Sequence, residues 1–162
     1  MKVAKSFSYI NGAIQRNDID LIKSLIVRSV NFSPASEDIC LQVPIVLACE
    51  LGRLEIVELL IENRHRINLI IDQFLAEDFW DEALTGLMTA SGHGHALIVK
   101  TLIQAGADPN IKTCYGETAL SFAARSGHIE IFEDLAPLTT CIDQEQIYLI
   151  RKIASANSSF LS

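Results

Sequence analysis

The sequence predicts an all-α solenoid of about four helix–turn–helix repeats plus a C-terminal capping helix, with an enlarged finger between the second and third repeats. Three observations predict it. The first is self-similarity at a fixed offset. "TGLMTASGHGHALIVKTLI" (85–103) lies over "TALSFAARSGHIEIFEDLA" (118–136), pairing Thr85 with Thr118, Leu87 with Leu120, Ala90 with Ala123, Gly94 with Gly127, His95 with His128 and Leu102 with Leu135 at a constant offset of 33. The second is a glycine at the same point of each copy, where one helix must stop and the next begin. A positive φ is wanted there, and glycine supplies it without a Cβ clash. The third is the spacing of apolar residues in the following segment. Ile56, Val57, Leu59 and Leu60, then Ile98, Val99, Leu102 and Ile103, recur three to four apart and so line one helical face. Each unit is too short to bury that face alone, so stacking on its neighbours must complete the core.

Taken in order, the repeats are expected at about 6–36, 37–72, 82–114 and 115–140, in a single domain spanning 1–162, with the capping helix at about 144–157. In the first, "INGAIQRNDIDLIKSLIVRSVN" (10–31) puts Ala13 at the alanine position and Asn17 at the glycine position. Asparagine is the next best residue for a left-handed conformation. In the second, "VPIVLACELGRLEIVELLIENRHRIN" (43–68) aligns Ala48 and Gly52 with the same two positions, and Pro44 suits a first helical turn. Thr85 and Thr118 are placed to cap the first helices of the third and fourth repeats. Pro137 closes the fourth early, and "EQIYLIRKIASAN" (145–157) reads as one last helix.

This pattern resembles the ankyrin repeat, whose period is 33 and whose first helix opens on a T-P-L-H-x-A pattern. "AGADPN" (105–110) is close to the family's usual repeat ending, and glycine-histidine at the helix joint is a family habit. The resemblance covers nearly the whole chain and is most specific over 85–136. The T-P-L-H histidine is absent: Met88 and Ser121 hold its position. Arg64 stands where the third repeat has Gly106. Spacing departs too. Asn17 to Gly52 is 35 residues and Gly52 to Gly94 is 42, the latter nine beyond the period. The extra residues fall in "LIIDQFLAEDFWDEA" (69–83), where ankyrin proteins carry a short hairpin finger. Ile71, Phe74, Leu75 and Asp78 are spaced as on a helical turn, so a short amphipathic helix is expected there. Its aromatics either fold back onto neighbouring repeats or anchor a partner.

The resemblance implies protein binding through finger tips and the exposed side of the first helices. On this sequence those positions are Phe79, Asp81, Glu82 and Leu84, with Trp80 adjacent, in the third repeat. They are Lys112, Cys114, Tyr115, Glu117 and Arg125 in the fourth, and Glu37, Ile39, Gln42 and Glu50 in the second. A partner-binding module of this kind would serve as an inhibitor, an immunity factor or an assembly adaptor. The alternatives are a structural subunit that self-associates through its solenoid ends, for which exposure of Phe7, Ile10 or Tyr148 would speak, and a metal-binding protein.

Charge narrows the partner. The net charge is −7, which disfavours nucleic acid, whose phosphates need a basic stripe. From Ile67 to Val99 there is no Lys or Arg, while Asp72, Glu77, Asp78, Asp81 and Glu82 fall within it. That face favours a protein partner with a basic patch. No run of about 18 apolar residues exists, so no membrane span is expected. The N-terminal stretch lacks a continuous apolar core, so no signal peptide is expected either. Cysteines 40, 49, 114 and 141 show no C-x-x-C spacing and read as reduced, buried thiols of a cytoplasmic protein, monomeric or weakly self-associating.

His93 and His95, with Cys114 downstream, raise the question of a metal. His95 and His128 occupy the same repeat position, so only His93 is additional, and a third and fourth ligand have no reason to converge. No cofactor is expected. The sequence holds no G-x-S-x-G, no glycine-rich phosphate loop and no H-E-x-x-H, and the expectation is that the protein is not an enzyme.

Overall fold

In the computed structural model, residues 3–27, 44–63 and 84–140 are described, together with 148, 151 and 152. The finger expected at 69–83 and most of the expected capping helix lie outside the described residues. The described residues form eight α-helices: α1 (Val3–Arg16), α2 (Ile19–Val27), α3 (Pro44–Glu50), α4 (Leu54–Glu62), α5 (Gly86–His93), α6 (Ala96–Gln104), α7 (Ala119–Arg125) and α8 (Ile129–Leu135). They pair as four helix–turn–helix units stacked side by side. Helices α3 to α8 run only seven to nine residues. Isolated helices that short are not stable in water, so packing between units must supply their stability.

The first helices α1, α3, α5 and α7 form one layer and the second helices α2, α4, α6 and α8 the other. Neighbours in the first layer pack more closely than those in the second. The array therefore curves, with the first helices on its inner side.

The joints within the units are equivalent in detail. Asn17, Gly52, Gly94 and Gly127 have φ of 57°, 66°, 79° and 75°. The following amide reaches back to the carbonyl of an alanine each time: Asp18 to Ala13 at 2.9 Å, Arg53 to Ala48 at 2.9 Å, His95 to Ala90 at 3.0 Å and His128 to Ala123 at 2.9 Å. This is the bond from C″ to C3 that closes a helix on a left-handed residue. All four alanines are fully buried, because the turn wraps over them and leaves no room for a longer side chain. The repeat read from the sequence is thus a repeat of hydrogen bonds.

The third repeat opens as expected. Thr85 is extended (φ −78°, ψ 161°), and its hydroxyl accepts the Met88 N–H at 3.2 Å. The fourth opens on a reciprocal capping box, in which the Thr118 side chain faces the Ser121 backbone N–H, as its place before the helix led one to expect. There the Ser121 hydroxyl accepts the Thr118 N–H at 3.3 Å, and the two hydroxyls lie 3.4 Å apart. Ser121, which holds the absent histidine's position, reaches back over the first turn and supplies the second half of the box.

One continuous apolar core runs the length of the stack, from Ile10, Ala13 and Ile14 in α1 to Ile131, Phe132 and Leu135 in α8. Burying each large aliphatic or aromatic side chain contributes about 1.5–3 kcal/mol. Cys49 belongs to this core, and burial pushes its thiol up to about 12. Cys114 corrects the expectation of buried thiols: it is exposed, because it sits on a surface turn rather than under a helix. Alkylation of the native protein near pH 8, followed by peptide mapping, should label Cys114 and spare Cys49 until the chain is unfolded. The raised thiol also costs stability at high pH. The native state holds that proton while the unfolded state releases it, so stability falls as pH rises from the ordinary 9.0 towards about 12.

Candidate protein-interaction surface

The segment joining the third and fourth repeats is built turn by turn. After α6, Gly106 (φ 95°) lets the Ala107 amide return to the Leu102 carbonyl at 3.0 Å. Asp108 Oδ1 accepts the Asn110 N–H at 2.9 Å, a side-chain-closed turn. Asn110 then ties this segment to the end of the next repeat. Its Oδ1 accepts from the Thr140 backbone at 2.7 Å and the Thr140 hydroxyl at 3.1 Å, and its Nδ2 donates to the Leu138 carbonyl at 3.3 Å.

The finger tip is a closed turn over 113–117. The Thr113 amide donates to the Glu117 carbonyl at 2.9 Å, and the Gly116 amide donates to the Thr113 carbonyl at 2.9 Å. The Glu117 amide donates to the Thr113 hydroxyl at 3.2 Å. Gly116 sits at φ 78° with nothing near the place a Cβ would occupy, so backbone conformation alone asks for glycine there. This closed frame presents Tyr115, 63% exposed, with Cys114 and Lys112 also at the surface.

A charged contact ties the finger to the inner layer. Arg125, in the last turn of α7, donates from Nη1 to Glu117 Oε1 at 2.7 Å, and its guanidinium carbon lies 4.8 Å from the centre of the Phe122 ring. Glu117 and Arg125, both expected at the surface, are therefore paired with each other. Leu84 is half-buried and packs against the core, which leaves it a smaller role at the surface than the finger residues. Glu50 is half-buried at the end of α3, and its backbone carbonyl is engaged by His95. Glu37, Ile39, Gln42, Phe79, Trp80, Asp81 and Glu82 lie outside the described residues.

The paired histidines have a place in this architecture. His95 Nε2 lies 3.3 Å from the Glu50 carbonyl, and His128 Nε2 lies 3.2 Å from the Gly92 carbonyl. Glu50 and Gly92 are equivalent positions of successive repeats, so each ring spans from one repeat to the one before it. His93 stacks on His95 with centroids 6.1 Å apart and planes within 6°, and its Nδ1 lies 2.9 Å from the Thr89 carbonyl. Among the described residues, no three His, Cys, Asp or Glu side chains gather as a metal would require.

Charge is segregated between the layers. The second helices carry Asp20, Glu55, Glu58, Glu62, Glu130, Glu133 and Asp134 against Lys23 and Lys100. Lys100 is held between Glu130 at 3.0 Å and Asp134 at 3.3 Å, and these hydrogen bonds raise its pKa. Such exposed pairs contribute little stability. The first helices and the 111–118 finger instead carry Lys5, Arg16, Lys112 and Arg125 against Glu50 and Glu117. Sequence reading put Arg125 and Glu117 on the surface but missed their pairing and the role of Phe122. The three-residue spacing of Phe122 and Arg125 on a helix was the available signal; the reach from Glu117 to Arg125 depends on how the finger folds.

Comparison with known proteins agrees with this geometry. Residues 67–146 match the family model for ankyrin repeats (3 copies). The chain is 27% identical over 157 residues to the Ankyrin repeat protein nuc-2 of Neurospora crassa, an alignment covering 82% of this chain and 14% of that protein. It is 28% identical over 156 residues to the Phosphate system positive regulatory protein PHO81 of Saccharomyces cerevisiae, covering 82% of this chain and 13% of that protein. The chain thus spans about a seventh of the length of these relatives.

Proposed function

From the premise that this chain belongs to the ankyrin-repeat family, we propose that it is a regulatory protein-binding module that docks a partner on the inner face of the array and its fingers. The observation that carries the reading is the closer packing of the first helices, which turns their exposed ends and the finger at 113–117 into one preformed surface. A surface fixed by its own hydrogen bonds loses little freedom on binding. The yeast relative is a regulatory protein by name, which supports regulation over a purely structural task. The proposed role is non-catalytic and needs no cofactor. The protein covers a partner as an inhibitor or immunity factor, or recruits it as an adaptor.

The acidic residues from Asp72 to Glu82 support a partner that is basic where it meets the third finger, with Trp80 as anchor. Among the described residues, no helix is long and apolar enough to cross a membrane. The test is affinity capture from a native host extract with the wild type and with Trp80→Ala/Asp81→Ala. The double variant should keep its helical circular dichroism and lose the captured partner's affinity by at least about tenfold. Equal capture by both forms would remove the third finger from the interface.

One observation favours a second reading, self-association through an array end. Tyr148 is 66% exposed, although Ile10 at the other end is fully buried. A light-scattering mass that rises with concentration, and stops rising in Tyr148→Ala, would favour it.

A further inference from the structure

We infer that the fourth repeat reads an acidic side chain of the partner protein, through Arg125 set by Glu117 and Phe122 with Lys112 and Tyr115 beside it. The inference rests on the protein-binding reading above, but not on the third finger.

The charges come first. Across 109–128, the finger and α7, the charged residues are Lys112, Glu117 and Arg125, so this unit is net positive in a chain whose outer layer is acidic. Glu117 already accepts from Arg125 at 2.7 Å, so a basic partner group approaching here meets a carboxylate in use and two cations. An acidic group meets the reverse.

Geometry adds specificity. A guanidinium has several N–H donors in a planar fork that matches a carboxylate, and it loses affinity when it must be ordered on binding. Here it is ordered beforehand. The Glu117 carboxylate holds one edge, the Phe122 ring supports one face at 4.8 Å, and the side chain stays 60% exposed. The backbone that carries this carboxylate is fixed in turn, because the Glu117 amide and carbonyl both bond to Thr113 in the closed finger. Tyr115, two residues from Glu117 and 63% exposed, adds a hydroxyl donor and a rigid ring. Arginine and tyrosine are the residue types that most often dominate protein interfaces. Nucleic acid is disfavoured as the occupant, since the chain's net charge of −7 would oppose a phosphate backbone.

The partner surface this predicts is acidic where it meets the fourth repeat. The test uses the full chain as bait for a displayed random-peptide library, in parallel with Arg125→Ala, Arg125→Glu and Trp80→Ala/Asp81→Ala, all checked for unchanged circular dichroism. Wild-type bait should enrich peptides carrying Asp or Glu. Remaking those peptides with Asn or Gln, or binding them to Arg125→Ala, should weaken binding at least about tenfold. Arg125→Glu should shift the enriched peptides to Lys or Arg. Glu117→Gln should weaken acidic peptides less than Arg125→Ala does, as befits a positioning residue. Enrichment without acidic residues, or peptides that bind Arg125→Ala and Arg125→Glu as well as wild type, would overturn the inference. If those peptides depend instead on Trp80 and Asp81, the protein-binding reading survives while this one falls. If no bait enriches any peptide, both fall.

Discussion

Gly94→Ala is expected to lower the unfolding free energy by about 2–4 kcal/mol. Two costs combine there. A non-glycine residue at φ 79° is strained by about 1 kcal/mol. The new Cβ would also sit 2.6 Å from Cε1 of His128, a distance that real contacts do not reach. His128 cannot simply swing away, because its Nε2 is engaged by the Gly92 carbonyl at 3.2 Å. Relief of the clash must break that bond or pry the third and fourth repeats apart. Gly106→Ala is the control. Its φ is 95° and nothing lies within 4 Å of the new Cβ, so only the backbone cost of about 1 kcal/mol applies. Urea unfolding of the two variants separates strain from collision. If Gly94→Ala costs no more than Gly106→Ala, the histidine is not a spacer between repeats. A Gly94→Ala/His128→Ala cycle should show coupling above about 0.5 kcal/mol, because the two substitutions share one contact.

Phe132→Ala is the second large effect, expected at about 3–5 kcal/mol. Among the described residues, Phe132 is the bulkiest of the fully buried side chains, 1% exposed in the middle of α8. Its loss leaves a hole that seven-residue helices anchored on both sides cannot fill by sliding. Repeat arrays are held by nearest-neighbour contacts, so the damage should stay local. Hydrogen exchange should show the amides of α7 and α8 losing protection well before those of α3 and α4. Uniform loss along the chain would mean the array unfolds as one cooperative block.

The fold was legible because the repeat writes the same instruction several times. Glycine or asparagine at 17, 52, 94 and 127 marks a left-handed joint, and alanine four residues earlier marks the carbonyl it closes on. Neither depends on a distant residue, so local sequence decides both. Met88 and Ser121 already told of a missing histidine. Only the folded turn told that Ser121 would reach back to the Thr118 amide.

The interaction surface was half legible. Position in the repeat put Lys112, Cys114, Tyr115, Glu117 and Arg125 on the outside, and all but half-buried Glu117 are exposed. Position could not say that Glu117 would spend its carboxylate on Arg125, eight residues away, nor that Leu84 would lean into the core. The pair His93 and His95 divides in the same way. His95 is fixed by its place in the period. Its contact with the Glu50 carbonyl, 45 residues earlier, exists only once two repeats are stacked.

By itself, then, the sequence determined the module: where helices begin and end, which face is apolar, and that one unit must lean on the next. These follow from backbone conformation and helical spacing, which act over a few residues. The tertiary structure alone decided which way the stack bends, that acid collects on its outer layer, and that the fourth repeat turns a fixed arginine outward. Those are consequences of bringing residues from different repeats, or from a finger and a helix, to within bonding distance, and no local pattern encodes that.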